Sequence, residues 1–299
     1  MKENKLRLFA LLACCMAMFT FTSCVQLGLD TEEEAMPEEV VVKKLPVSIA
    51  RQSPPAGPYT DSILFTYDEQ NRLTEVNEIF YGYVSQVNHS IVRKEYKKIF
   101  TYTDETNRPS EEAVIHEYST PEGYHWYFSY PDNLTVELRT NPSSARPYQV
   151  LELSDKEQIE KDLSYLNSPI RPFTLLYYYD RAGNVLKETI DSYSDTIFEP
   201  NIHTFDSKRG IFSGVNAPYW FLTYNSPYIF ESQGHLFMVN NVLTLSNDGI
   251  TGTAVYEYDA DGYPVKISFH NRFLYIDGVN EGEGERDEVY VIKYKGIVE

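Results

Sequence analysis

The chain is poor in cysteine, tryptophan and positive charge. Its 299 residues include 3 cysteines, 2 tryptophans and 26 lysines and arginines against 44 aspartates and glutamates, for a formal net charge of -18. So acidic a chain is not expected to bind nucleic acid or an anionic membrane surface by electrostatics. Cys14 and Cys15 lie in the first apolar segment, so a processed chain would keep only Cys24 and form no internal disulfide.

The common motifs of catalysis and metal binding are also missing from the sequence. It contains no Gly-x-Ser-x-Gly nucleophile elbow and no glycine-rich phosphate loop. The six histidines, at positions 89, 116, 125, 203, 235 and 270, include no pair at the helical spacing of metal ligands. The sequence therefore predicts no metal, no cofactor and no enzymatic activity. An uncharacterised hydrolase is the third alternative, because carboxylates are plentiful.

Long apolar runs are absent after the first two dozen residues. Three positive charges precede an apolar run from Leu8 to Phe21, which is too short for a permanent membrane helix. Residues 1–23 are therefore predicted to be a secretory signal peptide. Phe21-Thr22-Ser23-Cys24 resembles a bacterial lipobox, which implies lipid attachment at Cys24, although an ordinary secretory cut near the same place is the alternative.

The segment after Cys24 differs in composition from the rest of the chain. Residues 24–60 contain consecutive glutamates at 32–34 and prolines at 54, 55 and 58, a composition typical of a disordered tether. A single β domain is then predicted over residues 61–299. The expected location is the outer membrane, lipid-anchored, with the cell surface favoured and the periplasmic face as the alternative, and no membrane contact other than this anchor is predicted.

A short phrase, Asp-x-x-Gly or Asp-x-x-Asn with a tyrosine one or two residues before the aspartate, recurs along the chain. It occurs at Asp68, Asp104, Asp180 and Asp259. The aspartate can accept a backbone hydrogen bond two residues on, and Gly or Asn tolerates the positive φ that closes the turn. Such turns join antiparallel strands. The phrase therefore predicts repeated β-hairpins.

Alternation of apolar and polar residues follows the clearest of these turns. Val265, Ile267 and Phe269 alternate with polar residues, as in a half-buried strand. An all-β antiparallel meander of about 12 to 16 strands is predicted, curling into an open or closed barrel-like sheet. One short helix is predicted near 155–166, because Ser154 and Glu157 form a capping-box pattern.

The hairpin phrase also carries a family resemblance. Tyr67-Asp68, Tyr179-Asp180 and Tyr258-Asp259, each with its following turn residues, resemble the YD repeat of the rearrangement-hotspot proteins. Together with the lipobox, the chain resembles gut-bacterial lipoproteins of unknown function that have YD-like hairpins. The resemblance implies a porin-like or open β-barrel over roughly residues 60–297, and it implies nothing about chemistry.

Two aromatic segments are the candidate ligand-binding residues. They are Tyr124, Trp126 and Tyr127 in one segment, and Tyr219, Trp220 and Tyr224 in the other. Aromatic faces stack on sugar rings, whereas core or cross-strand packing is the alternative. The leading hypothesis is a non-enzymatic, envelope-tethered protein that binds a glycan or an envelope protein, and a structural YD-repeat scaffold is the rival. A true porin is a further alternative, but lysines interrupt the strands, so solubility without detergent is expected once residues 1–24 are removed.

Overall fold

The computed structural model describes residues 42–52, 61–83, 91–116, 123–165, 173–191, 201–225, 239–247, 250–277 and 280–297. The strands are β1 Lys43–Arg51, β2 Ser62–Tyr67, β3 Leu73–Tyr83, β4 Ile91–Thr101, β5 Glu111–His116, β6 Tyr124–Asp132, β7 Thr135–Arg139, β8 Gln149–Leu153, β9 Ile159–Ser164, β10 Phe173–Tyr179, β11 Val185–Asp191, β12 Asn201–Phe205, β13 Val242–Asn247, β14 Ile250–Tyr258, β15 Pro264–Asp277 and β16 Asn280–Ile297. One short helix, α1, spans Tyr219–Tyr224. The described ranges contain no helix long and apolar enough to cross a bilayer.

The sixteen strands form one closed barrel. Each strand pairs with its neighbours in the sequence, the pairings between described strands are antiparallel, and β1 pairs with β16 to complete the ring. The prediction of an all-β antiparallel meander is therefore confirmed, and the sheet is closed rather than open.

The first strand lies within the segment that composition assigned to the tether, so that part of the prediction is wrong. Within β1, Leu45 and Ile49 are fully buried, and the strand pairs with both β16 and β2. Glutamates and prolines on either side dominate the average composition and conceal a nine-residue strand. The signal-peptide range and Cys24 lie outside the described residues.

The prediction of a helix near 155–166 is also wrong. Residues Ser154 to Gln158 form a tight turn, and β9 follows it. The Ser154 hydroxyl accepts hydrogen bonds from the N–H groups of Lys156 and Gln158, at 3.2 and 3.3 Å. Glu157 has a φ of 58°, which no helix allows. The Ser-x-x-Glu pattern is here a hairpin turn, because serine can cap either structure through the same hydroxyl.

Four hairpin turns share one hydrogen-bond pattern. They begin at Asp68, Ser154, Asp180 and Asp259. In each turn the first residue donates its N–H to the carbonyl four residues on, at 2.8 to 3.1 Å, and its own carbonyl accepts from the fourth residue. That fourth residue has a positive φ in all four cases, which glycine or asparagine tolerates best. The predicted hairpin turns are thus confirmed at three of the four Asp-x-x-Gly/Asn phrases.

The fourth phrase, at Asp104, forms a longer connection between β4 and β5. The Thr106 hydroxyl donates to the Asp104 carboxylate at 2.5 Å and accepts from the N–H of Arg108. In the tight turns the N–H at the same position, four residues after the aspartate, donates directly to the aspartate side chain. The prediction of a tight turn at Asp104 is wrong because the threonine takes the place of the direct bond.

Two tyrosines of the repeated phrase join their hairpin to the one before it. Tyr102 donates its hydroxyl to the carbonyl of Leu73 at 2.8 Å, and Tyr179 donates to the carbonyl of Ile159 at 2.7 Å. In both pairs the acceptor begins the strand after the preceding turn. At these two positions the tyrosine hydroxyl therefore links neighbouring turns around the rim.

The up-and-down topology gives the barrel two different ends. The connections that follow even-numbered strands, including these tight turns, lie at one end, here named the turn end. The chain enters β1 at this end. The connections that follow odd-numbered strands lie at the opposite end, named the loop end.

The interior of the barrel is filled at the turn end by an insertion. About eight strands enclose a space that wall side chains can fill, whereas sixteen leave a channel. Residues 206–225 of the β12–β13 connection, named the plug, occupy this space, and helix α1 is part of it. Three residues of α1, Trp220, Phe221 and Leu222, are buried, which agrees with an apolar helix surrounded by protein.

Aromatic contacts and backbone hydrogen bonds hold the plug in the barrel. Phe221 meets Phe100 of β4 edge to face, with ring centroids 4.8 Å apart. Phe212 meets Phe65 of β2 in the same way at 5.1 Å. The Asn216 N–H donates to the carbonyl of Asn71 at 3.1 Å, so the plug is also bonded to the β2–β3 turn. These contacts make the turn end the apolar core of the molecule.

Candidate functional site

Side chains alternate between the barrel interior and its outer wall. On β14, for example, Gly252 and Ala254 are buried, whereas Thr253 and Val255 are exposed. The same alternation on β6 places Trp126, Phe128 and Tyr130 on the inner face. Phe128 and Tyr130 contact the plug, whereas Trp126 lies two residues nearer to the loop end. The candidate site is the part of the interior beyond the plug.

Buried carboxylates lie on the inner faces of the strands around this space. Burial raises the pKa of Glu78 to about 6, although nearby Lys98 lowers it. Burial also raises the pKa of Asp162 to about 6, against a 2.6 Å hydrogen bond that Gln149 donates to it. Burial raises the pKa of two further carboxylates, those of Glu112 and Glu188. The interior beyond the plug is therefore polar, with carboxyl pKa values raised above their ordinary range.

Replacing Asp162 with asparagine is expected to stabilise the protein at high pH. Its pKa is raised from an ordinary value of 3.8 to about 6, so its contribution to stability is full below pH 3.8 and is lost as the pH rises through 6. The amide does not ionise and can still accept the bond from Gln149. Asp162→Asn should raise the free energy of unfolding by about 2 to 3 kcal/mol at pH 8 and by little at pH 3.5.

Urea unfolding at the two pH values measures this difference. Glu160→Gln is the matched control, because Glu160 lies on the same strand with an exposed side chain, and it should change stability by less than about 0.5 kcal/mol. An equal gain at both pH values would contradict the prediction, since it would indicate a change in packing rather than in ionisation.

An aromatic cluster lines the inner wall of β4, β5 and β6 towards the loop end. The rings of Tyr96 and His116 are nearly parallel, with centroids 5.8 Å apart, and His116 stacks on Tyr124 at 5.5 Å. Tyr124 is 54% exposed. Trp126 packs against Tyr148 with centroids 4.8 Å apart. These five residues, named the aromatic cluster, offer ring faces to a ligand; four lie on β4, β5 and β6, and Tyr148 lies in the β7–β8 connection.

A cavity of about 460 Å³ adjoins the aromatic cluster at Tyr148. Its lining residues come from the β7–β8 connection and the end of β9: Thr140, Ser144, Arg146, Pro147, Tyr148 and Tyr165. The N–H of Tyr165 donates to the carbonyl of Tyr148 at 2.9 Å and holds the two tyrosines side by side. The volume is within the range of small-ligand sites.

The structure does not bring the two predicted aromatic segments into one site. Tyr124 and Trp126 belong to the aromatic cluster, whereas Tyr127 lies on the opposite face of β6 beside His125. The second segment forms helix α1 of the plug. Trp220 is 0% exposed, so it is a core residue, and the alternative of core packing applies to it.

The remaining predicted residues of α1 also bond within the protein. Tyr219 donates its hydroxyl to the carbonyl of Gly183, and Tyr224 donates to the Gln149 side chain at 3.1 Å. Sequence reasoning missed Tyr96, His116, Tyr148 and Tyr165. The only feature of the sequence that could identify them is their position near the loop ends of strands. This position can be recognised only when the strand register is known.

Charged pairs cover much of the outer wall. Lys266 and Glu257 are 2.6 Å apart across β14 and β15, and Lys161 and Glu152 are 2.5 Å apart across β8 and β9. A barrel that spans a bilayer carries a continuous apolar band at these positions. These charged pairs interrupt such a band on the outer wall.

Comparisons with known proteins place no family name on the chain. No protein-family model matches it, and no curated protein matches it significantly. A porin-like protein from Bacteroides uniformis ATCC 8492 is 15% identical, with 84% of this chain and 98% of that chain covered, at a TM-score of 0.39. The structure of TcdB2-TccC3-TEV is 8% identical, with 76% of this chain and 10% of that chain covered, at a TM-score of 0.25. Both scores are too low to bear on function.

No group of three or more metal-ligating side chains occurs within the described residues.

Proposed function

We propose that this protein is a non-enzymatic, cell-envelope-tethered binding protein that recognises a saccharide at the loop end of its barrel. The observation that carries the proposal is the aromatic cluster beside the cavity. Sugars present apolar C–H faces that stack on aromatic rings, and tyrosines add hydroxyl groups that can bond to sugar hydroxyls. The plug supports this use of the barrel, because it fills the turn end and leaves the cluster at the other end.

The tether part of the proposal rests on Cys24 and the lipobox-like residues before it. A lipid at Cys24 would be joined to the barrel through its turn end, because β1 begins there. The aromatic cluster lies at the opposite end of the barrel.

A structural YD-repeat scaffold is less well supported. Extension of a repeat shell requires an edge strand on which the next hairpin can form. Each of the sixteen described strands has a partner on both sides, because β1 and β16 pair with each other. The closed ring therefore favours a discrete binding protein.

A glycan array probed with residues 42–299 tests the proposal, with affinities then measured by calorimetry. Tyr124→Ala is expected to weaken binding at least tenfold, because the exposed ring of Tyr124 is part of the proposed contact surface for the sugar. The matched control is Tyr178→Ala on the outer wall, since Tyr124 and Tyr178 are 54% and 48% exposed. Equal effects of the two substitutions, or no bound glycan at all, would contradict the proposal.

A further inference from the structure

We infer that the saccharide is anionic, and that Arg146 binds its acidic group. The inference rests on the proposed function and adds the chemical class of the ligand. Among the described residues that line the cavity, Arg146 supplies the one charged side chain and none carries a carboxylate. In a chain with a formal net charge of -18, such a cavity is a local exception that favours an anion.

The two arginines near this cavity differ in their partners. Arg139 is neutralised by Glu137, at 2.5 Å, and donates to the carbonyl of Ser144 at 2.5 Å. Arg146 makes no ion pair with the residues that the structure describes, and its side chain is exposed. Arg139 therefore braces the loop, whereas the guanidinium of Arg146 remains available for a ligand.

Hydrogen bonds within the β7–β8 connection hold the backbone at Arg146 in position. The Ser144 hydroxyl donates to the carbonyl of Arg146 at 2.8 Å. The N–H of Ser144 donates to the carbonyl of Asn141, and the N–H of Ser143 donates to the Asn141 side chain, at 3.0 and 2.9 Å. A braced loop loses less conformational entropy when a ligand binds. The guanidinium fork can then bond to two oxygens of one acidic group.

The other lining groups suit the rest of a sugar ring. Thr140 and Ser144 carry hydroxyls, and Tyr148 and Tyr165 carry rings with hydroxyl tips. Neutral hydroxyls bind sugar hydroxyls without repelling an acidic group. A carboxylate on a uronic acid and a sulfate ester on a sugar share the chemistry that a guanidinium recognises.

Calorimetric titration of residues 42–299 with three matched trisaccharides tests the inference. The probes are trigalacturonate, galactotriose and a sulfated galactotriose. An acidic trisaccharide is expected to bind at least tenfold more tightly than galactotriose at low salt, with the difference reduced at high salt. The two acidic probes distinguish a carboxylate from a sulfate as the preferred group, and preference for either one supports the inference.

Variants of Arg146 separate charge from shape. Arg146→Gln should reduce binding of the acidic probe to the level of galactotriose and leave galactotriose binding unchanged, whereas Arg146→Lys should retain part of the preference. Arg181→Gln is the control, because Arg181 is exposed in a turn-end hairpin. Equal binding of acidic and neutral probes by the unmodified protein would overturn the inference and leave the proposed function standing. If no saccharide binds, either on the array or in the calorimetric titration, both the inference and the proposed function are overturned.

Discussion

A chain that begins at Asp61 is expected to lose the closed barrel, whereas a chain that begins at Val42 is expected to keep it. The segment between these starting points contains β1, which pairs with β16 on one side and β2 on the other. Leu45 and Ile49 of this strand are fully buried, and burial of two such side chains contributes about 3 to 6 kcal/mol. Removal of β1 also exposes two unpaired strand edges, which promote aggregation.

Size-exclusion chromatography and thermal melting followed by circular dichroism distinguish the two chains. Residues 42–299 should be soluble without detergent and unfold in one cooperative transition. Residues 61–299 should aggregate or unfold at a much lower temperature. Equal melting temperatures would show that β1 does not close the barrel.

Replacement of Trp220 with alanine is expected to lower the free energy of unfolding by about 3 to 5 kcal/mol. The side chain is fully buried at the centre of the plug and contacts the rings of Phe128, Tyr130 and Phe221 at centroid distances of 5.7, 6.2 and 5.8 Å. Loss of the indole would leave a large cavity between the plug and β6.

Two further variants, measured by urea unfolding, give this prediction its controls. Trp220→Phe should cost clearly less, because a ring remains and the indole N–H, which has no hydrogen-bond partner among the described residues, is removed. Trp126→Ala should also cost less than Trp220→Ala, because Trp126 is only partly buried. A loss below about 1 kcal/mol in Trp220→Ala would contradict the role of the plug as core.

The hairpins could be predicted from sequence because their chemistry is local. Asp68, Asp180 and Asp259 each bond to backbone N–H groups within four residues, so the pattern and the structure coincide. The turn at Ser154 was missed because Ser-x-x-Glu suits a helix start and a hairpin equally well. Only the pairing of β8 with β9 decides between them, and that pairing depends on the whole sheet.

The plug and the aromatic cluster could not be predicted because they depend on contacts between distant residues. The apolar run Tyr219–Leu222 lacks the alternation of a strand, which in retrospect is a signal of burial. Its position inside the barrel follows only from the width of a sixteen-strand barrel, because side chains of the wall cannot fill so wide an interior. Tyr148 meets Trp126 because β7 lies between β6 and β8, a relation that depends on strand order.

The measurement that tests the account most directly is saccharide titration of two single-tryptophan variants, followed by tryptophan fluorescence. Trp220→Phe leaves Trp126 as the only tryptophan, and Trp126→Phe leaves Trp220. With an acidic trisaccharide, we expect the emission of Trp126 to change in a saturable way and that of Trp220 to stay constant. A saturable change at Trp220 with none at Trp126 would contradict a ligand site at the loop end of the barrel.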